Sequence, residues 1–276
     1  MEIIDGRKIR DQILENLKDE VRNLKTTPTL AIILVGGNKA SAAYVRQKSL
    51  AGEKIGAKVI VKNLNSDVSK DELENLINQL NRDTSIHGII IQLPLPEHLN
   101  EEEISDKVLP ERDVDGFVPG SKFRPATAMG VVELLKRSGV EIKGKNAVVV
   151  GRGKVAGRPT AELLREEGAR VEVVHSKTEN PAEITKKADI LVSAVGKPNL
   201  ITADMVKPGA VVVDVGTTPV YPQFEEQNPK SKITGDVDFD EVSNIASKIT
   251  PVPGGVGPMT VAAIMQNLVT AAKAQN

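Results

Sequence analysis

The sequence predicts an α/β protein made of two three-layer domains, each with a parallel sheet. Three observations predict it. Continuous apolar runs such as Thr29–Val35, Gly88–Leu93 and Ala147–Val150 have strand length and no polar face, as strands covered on both sides do. Segments with helical spacing alternate with these runs, the order that gives parallel sheets. A stretch at 110–125 carries several Pro and Gly residues and no period, and divides the pattern in two. A length of 276 residues with 40% hydrophobic content suits two modest domains with real cores.

Residues 7–24 place Ile9, Ile13, Leu14, Leu17 and Val21 on one face, an amphipathic helix. Pro28 precedes the first strand, 29–35. Gly36-Gly37-Asn38 turns the chain into a helix over about 40–55, which Gly56 ends. A second strand spans 58–64, a helix 69–82 buries Leu73, Leu76, Ile77 and Leu80, and a third strand, 88–93, runs into Pro94 and Pro96. The stretch 110–125 reads as the crossing between domains, giving 1–120 and 121–258, with a closing helix, 259–276, packed back on the first domain. The second domain begins with a helix near 129–137. Its strands are expected at 147–150, 170–174, 189–195 and 210–215. Asn180-Pro181 is a helix start with Asn as cap and Pro at the first helical position. Residues 202–206 read as a short helix, and Pro251–Pro258 as a rigid glycine-rich loop.

Composition excludes several functions. Net charge is -1 and aromatic content 2%, so neither a basic field nor stacking platforms for nucleic acid are present. No apolar run has membrane-spanning length, and the first residues do not read as a signal peptide, so a cytosolic protein is expected. Cysteine is absent, which removes disulfides, thiolate metal sites and a thiol nucleophile. His87, His98 and His175 lack paired ligand spacing, and no metal is expected.

The turn after strand 147–150, Gly151-Arg152-Gly153-Lys154-Val155-Ala156, fits the dinucleotide fingerprint. Gly151 permits the tight turn and Gly153 a close backbone approach to a pyrophosphate. Ala156 or Gly157 lets the helix pack on the strand, and its N-terminus offers N–H groups to the anion. An NAD site places an acidic residue roughly 20 residues further on, at the ribose. Here the next strand ends His175-Ser176-Lys177-Thr178, so Ser176, Lys177 and Arg152 point to a 2′-phosphate, and the cofactor expected is NADP.

Other residues carry chemistry less distinctly. Tyr44 and Lys48, four apart, share a helix face near the sheet's ligand edge. A lysine drawn from water is a useful proton shuttle, although most helix lysines are simply solvated. Gln92 interrupts an apolar strand and needs a partner, in a ligand or in the protein. Asp113 and Asp115 flank Val114 in a turn, and spacing does not choose between them. Asp214-Val215-Gly216-Thr217 ends a strand, as a plain turn or beside a nicotinamide.

Together, Tyr44-Val-Arg-Gln-Lys48, Ile91-Gln92-Leu-Pro-Leu95, Asp113-Val-Asp115-Gly116, Gly151-Arg-Gly153 and Pro251-Val-Pro-Gly-Gly-Val-Gly-Pro-Met-Thr260 resemble the methylenetetrahydrofolate dehydrogenase/methenyltetrahydrofolate cyclohydrolase family, in order and over almost the whole chain. The resemblance implies an amino-terminal α/β folate domain and a Rossmann-type NADP domain with a cleft between them. It implies oxidation of methylenetetrahydrofolate with NADP, then hydrolysis of the methenyl product to formyltetrahydrofolate. Lys48 matches the family's catalytic lysine, with Gln92 as its partner. Tyr44 would pack on the folate, Asp115 would bind the pterin edge, and Leu93 would join the substrate contacts. Pro253, Gly254, Gly255, Val256 and Gly257 would line the folate cleft. Gly151, Arg152, Gly153, Ser176 and Thr217 match cofactor contacts, and a homodimer through the cofactor domain is implied. Three places depart from the family: Pro125-Ala-Thr-Ala128 stands for Pro-Cys-Thr-Pro, Gly153 for serine, and Thr217-Thr218 for Ile-Asn. Two other readings compete: a two-domain NADP-dependent dehydrogenase of an amino or hydroxy acid, and a non-catalytic NADP-binding module.

Overall fold

A computed structural model describes residues 1–220 and 232–275. In chain order the first half holds β1 (Glu2–Ile3), α1 (Gly6–Arg22), β2 (Thr29–Val35), α2 (Lys39–Ile55), β3 (Lys58–Leu64), α3 (Lys70–Arg82), β4 (Gly88–Gln92) and α4 (Glu101–Ser105). Then come α5 (Ala126–Arg137), β5 (Asn146–Val150), α6 (Gly157–Glu166), β6 (Arg170–Val174), α7 (Pro181–Thr185), β7 (Ile190–Ser193) and β8 (Val211–Asp214). The last elements are β9 (Thr218–Val220), β10 (Lys232–Thr234), α8 (Phe239–Ser243), β11 (Lys248–Ile249) and α9 (Val256–Ala274). Two compact units result. One comprises Asp11–Ala126 and the chain from Val261 on, the other Met1–Arg10 and Thr127–Thr260.

The first unit is built on a parallel sheet ordered β3-β2-β4. Every residue of β2 and β4 is buried, which explains their unbroken apolar sequences. Ala31, Ile33 and Val35 share a core with Leu73, Ile77 and Leu80 of α3 and with Ile89 and Ile91 of β4. Local chemistry fixes where the helices begin. The Asn38 side chain accepts from the N–H groups of Ala40 (2.9 Å) and Ser41 (3.1 Å), opening α2. Gly56, at φ 80°, closes it in the left-handed region. Ser69 caps α3 by accepting from the Glu72 N–H at 3.2 Å. Residues 110–125 contain no helix or strand and fall inside this unit. Asn267 of α9 holds them by donating to the carbonyls of Val114 (2.9 Å) and Arg124 (3.1 Å).

The second unit contains a six-stranded parallel sheet ordered β1-β11-β8-β7-β5-β6. β5 has β6 on one side and β7 on the other, so the winding reverses between β5 and β7. In open α/β sheets that reversal is where ligands bind, past the strands' carboxyl ends. Val148, Val150, Leu191, Val212 and Ile249 form its core with Ile201 and Val237.

Several expectations need correction. Residues 1–10, assigned from sequence to the first domain, belong to the second unit because β1 pairs with β11 and extends its sheet. Asn180 stands before α7, but at φ 47° its side chain makes no capping bond; Pro181 alone marks the start. Residues 203–205 form a 3-10 turn instead of an α-helix. The last helix begins at Val256, three residues before the expected start, so Val256 and Gly257 are helical. Pro258 sits in its first turn, where a missing N–H is harmless.

Replacing Ile33, fully buried on the central strand of its sheet, with Ala is expected to cost about 2–5 kcal/mol. Urea unfolding of the purified variant measures this, and a loss under about 1 kcal/mol would contradict the packing described.

Candidate active site

The first unit carries a buried amine. The buried stripe of α2 runs Ser41, Val45, Lys48, Ala51, Gly52, Ile55, so Lys48 occupies a core-facing position among small and apolar residues. It is only 6% exposed. The helix lies close to the sheet at Gly52, where a Cβ would collide with the Val59 side chain. Lys48 Nζ donates to Gln92 Oε1 at 3.0 Å. Gln92, buried at the end of β4, in turn donates from Nε2 to the Leu93 carbonyl at 2.8 Å. That second bond fixes the amide so that its oxygen, the acceptor, faces the lysine. Burial pushes the Lys48 pKa below the usual lysine value, with Asp115 opposing the shift. Asp115 is pushed up by burial, against the attraction of Lys48. Both groups are thus driven toward their neutral forms, as in sites that move protons at neutral pH. Tyr44, half-buried, stands one turn before Lys48 on the same helix.

The structure separates the two aspartates that spacing left equivalent. Asp113, 4% exposed, accepts from the Gly116 N–H at 3.1 Å and the Val118 N–H at 2.8 Å. Its carboxylate thereby organises the turn. Asp115 remains the carboxylate coupled to Lys48. Arg112, which the sequence reading passed over, clamps the same turn to the end of α3. Its Nη1 donates to the carbonyls of Leu80 (3.2 Å), Asp83 (2.6 Å) and Ile86. An arginine preceding two aspartates resembles a solvated charge cluster, and nothing local marks it as buried.

In the second unit the glycine turn lies at the sheet's reversal point. Gly151, at φ 107°, has room for no side chain, since a Cβ would overlap the Ala194 carbonyl after β7. Of Ala156 and Gly157, the structure picks Gly157 as the packing glycine: a Cβ there would overlap the Gly151 carbonyl. A cradle that admits only hydrogen at two positions fits the close approach of a pyrophosphate. Arg152 and Gly153 are exposed just past β5, and Ser176 is exposed just past the neighbouring β6. Thr217 is exposed past β8, on the other side of the reversal. Between β11 and α9, Pro253 is exposed and Gly254 and Gly255 are buried, and at the start of α9 Val256 is buried and Gly257 half-buried. Among the described residues no group of acidic or histidine side chains could hold a metal, and no helix is long and apolar enough to cross a membrane.

Asp214, at the end of β8, is 3% exposed. It accepts from the N–H groups of Gly216 (2.8 Å), Asp236 (3.0 Å) and Val237 (2.9 Å). This is a structural network, and the strand-end turn is its product. Asp236, also missed from sequence, is fully buried.

A parallel sheet with a dinucleotide cradle, together with a desolvated lysine held by an amide, defines a nucleotide-dependent enzyme with acid–base capability. Comparison with known proteins narrows the class. Residues 4–115 match the tetrahydrofolate dehydrogenase/cyclohydrolase catalytic domain, and residues 125–276 the NAD(P)-binding domain of the same family. The chain is 46% identical over 287 residues to the bifunctional protein FolD of Campylobacter concisus, covering 100% of this chain and 99% of that one. The crystal structure of the bifunctional FolD methylenetetrahydrofolate dehydrogenase/cyclohydrolase of Campylobacter jejuni is 43% identical, with a TM-score of 0.93 and 100% of both chains covered. That of Trypanosoma brucei FolD, complexed with NADP and an inhibitor, is 40% identical, with a TM-score of 0.93 over 99% of this chain and 97% of that one. This chain belongs to the tetrahydrofolate dehydrogenase/cyclohydrolase family.

Burial and the neighbouring Asp236 raise the Asp214 pKa to about 6, above its ordinary 3.8. The folded state therefore binds this proton more tightly than the unfolded state. Its contribution favours folding below about pH 4 and is lost as pH rises through about 6. At roughly 1.4 kcal/mol per pKa unit the loss is on the order of 3 kcal/mol. The difference in unfolding free energy between the parent and Asp214→Asn, followed from pH 4 to 7, should show this fall. A flat difference would contradict it.

Proposed function

We propose that this chain is a bifunctional one-carbon folate enzyme, oxidising 5,10-methylenetetrahydrofolate to the 5,10-methenyl form with NADP and then hydrolysing that product to 10-formyltetrahydrofolate. The observation that carries the reading is the buried Lys48, held at 3.0 Å by Gln92 and coupled to Asp115, in a chain of this family. The cofactor, when bound, accepts a hydride from the substrate's one-carbon bridge. Gly151 and Gly153 would admit its pyrophosphate, Arg152 and Ser176 would hold the 2′-phosphate, and Thr217 would lie across the sheet reversal.

For the hydrolysis, the neutral amine of Lys48 takes a proton from a water as its oxygen bonds to the methenyl carbon. The bond from that carbon to N5 then breaks as the carbinol O–H proton is released to solvent and the C=O forms, and the proton held by Lys48 passes to N5, leaving the formyl group on N10. Burial makes Lys48 competent for this, because an ordinary lysine holds its proton at neutral pH. A cationic methenyl group nearby disfavours the ammonium further. Gln92 keeps Nζ in place throughout, since an amide oxygen can accept from either protonation state. Tyr44 would cover the folate ring and Leu93 would border it, while Asp115 would accept from the pterin's polar edge. Pro253, Gly254, Gly255, Val256 and Gly257 complete the folate contacts in this reading.

Two alternatives fare less well. An amino- or hydroxy-acid dehydrogenase leaves the family membership of both halves unexplained, and a non-catalytic module has no use for a desolvated lysine. A cytoplasmic location and a homodimer joined through the cofactor domain belong to the same proposal, on the strength of the family resemblance. So does a first domain of 1–120 and a second of 121–258, amended for residues 1–10 as described above.

A coupled assay of both half-reactions tests the proposal. Lys48→Met is expected to lower cyclohydrolase activity by about 100-fold or more and to leave NADP affinity within about twofold. A large loss of NADP binding in that variant would show that the lysine belongs to the cofactor side. Arg152→Ala is expected to weaken NADP by about tenfold or more, the weight of a charge-assisted bond, and NAD far less. Equal weakening of both would remove Arg152 from the 2′-phosphate.

A further inference from the structure

The carboxyl end of β7 faces the glycine turn across the point where the sheet's winding reverses. Residues 194–197 form that side of the crevice. The Ala194 carbonyl closes on Gly151, and Val195 Cγ2 would stand 3.4 Å from a Cβ at that glycine. Val195 is 37% exposed. Three donors from this segment and the hydroxyl of Ser193, the last residue of β7, converge on one fully buried side chain. Asp236 Oδ2 accepts from the Ser193 hydroxyl (2.9 Å) and the Val195 N–H (2.7 Å), and Oδ1 from the N–H groups of Gly196 (2.9 Å) and Lys197 (2.8 Å).

Neighbouring loops lock Asp236 in turn. Its own N–H donates to Asp214 Oδ1, and Gly216 packs so closely that a Cβ would overlap the Asp236 carboxylate. Thr218 Oγ1 donates to the Gly196 carbonyl at 3.2 Å, so the segment is also tied to the strand after β8. Residues 193–197 therefore take their shape from the Asp236 side chain, while Asp214 holds the N–H groups of Gly216, Asp236 and Val237 beside it. Successive backbone N–H groups with no fixed acceptor would be free to reorient, and the segment's position beside Gly151 would be lost with them.

We propose that Asp236 is a positioning residue for the cofactor: by accepting from Ser193 and from the backbone of residues 195–197, it holds the crevice wall that stands opposite the Gly151 turn. The proposal rests on NADP binding at that turn. Asparagine is the informative substitution, because its NH2 group must replace one carboxylate oxygen. Whichever side it takes, a backbone N–H of Val195, or those of Gly196 and Lys197, loses its acceptor.

The experiment measures, for the parent, Asp236→Asn and Ser193→Ala, the NADP KM of the dehydrogenase, the NADP Kd by calorimetry, and the cyclohydrolase rate, with thermal melts as a check of folding. Cyclohydrolase needs no nucleotide, so it reports on the rest of the enzyme. For folded Asp236→Asn the NADP KM and Kd should rise about tenfold or more, while the cyclohydrolase rate stays within twofold. NADP values within twofold of the parent in the folded variant would overturn the proposal, as would an equal fall in both activities. Should Asp236→Asn not fold, Ser193→Ala decides, because it removes one donor and leaves the three backbone bonds. A rise in NADP KM of about threefold with unchanged cyclohydrolase sustains the proposal, and an unchanged KM overturns it. If the parent itself binds no NADP, the assigned cofactor is wrong, an outcome distinct from either.

Discussion

An amine kept out of water is the constraint on which the catalytic unit depends. Lys48 sits where a helix would ordinarily place Leu or Ile, and its desolvation sets what it can do. The surrounding structure makes that position tolerable. A single amide accepts from the amine, and that amide is itself anchored to a backbone carbonyl. A carboxylate whose own neutral form is favoured by burial offsets part of the shift. Such an arrangement keeps the amine from standing as an unpaired charge in the core, which would be a liability there.

The second unit solves a related problem with the opposite charge. Asp214 and Asp236 lie deep at the carboxyl edge of the sheet, and their oxygens accept from backbone N–H groups and one hydroxyl. Loops at the end of a parallel sheet leave many N–H groups without a ladder partner. Two carboxylates take up six such N–H groups here, and the Ser193 hydroxyl as well. Asp113 does the same for its turn in the first unit. Acidic residues thus shape loops in both units, whereas Arg152, Ser176 and Thr217 stay exposed.

Much of this was legible in the chain. β2 begins and ends where its apolar run places it, because a strand buried on both faces leaves an unbroken apolar signature, whereas β3, an edge strand with no buried residue, is marked by the Gly56 stop before it. The dinucleotide turn was readable because only glycine fits its backbone. Lys48 was half-legible: its spacing from Tyr44 was visible, but its place in the stripe with Val45, Ala51 and Ile55 was the stronger signal. The two-residue strands β1 and β11 carried no period, and their pairing joins residues some 246 positions apart. Asp236 was missed for a similar reason. Gly235-Asp236-Val237-Asp238 looks like a polar turn until Ser193 and residues 195–197, about 40 positions earlier, are brought against it.

By itself, then, the sequence determined the main helices and strands, the parallel character of both sheets, the glycine cradle and the family, because each rests on local periodicity, on backbone conformations open only to glycine, or on motif order. Tertiary structure alone decided which of Asp113 and Asp115 faces the lysine, which of Ala156 and Gly157 packs the helix, and where the first ten residues belong. Those outcomes depend on burial and on hydrogen bonds between segments distant in the chain. Residue type and spacing do not encode them, since a carboxylate looks the same in a sequence whether it ends up organising a turn or facing an amine.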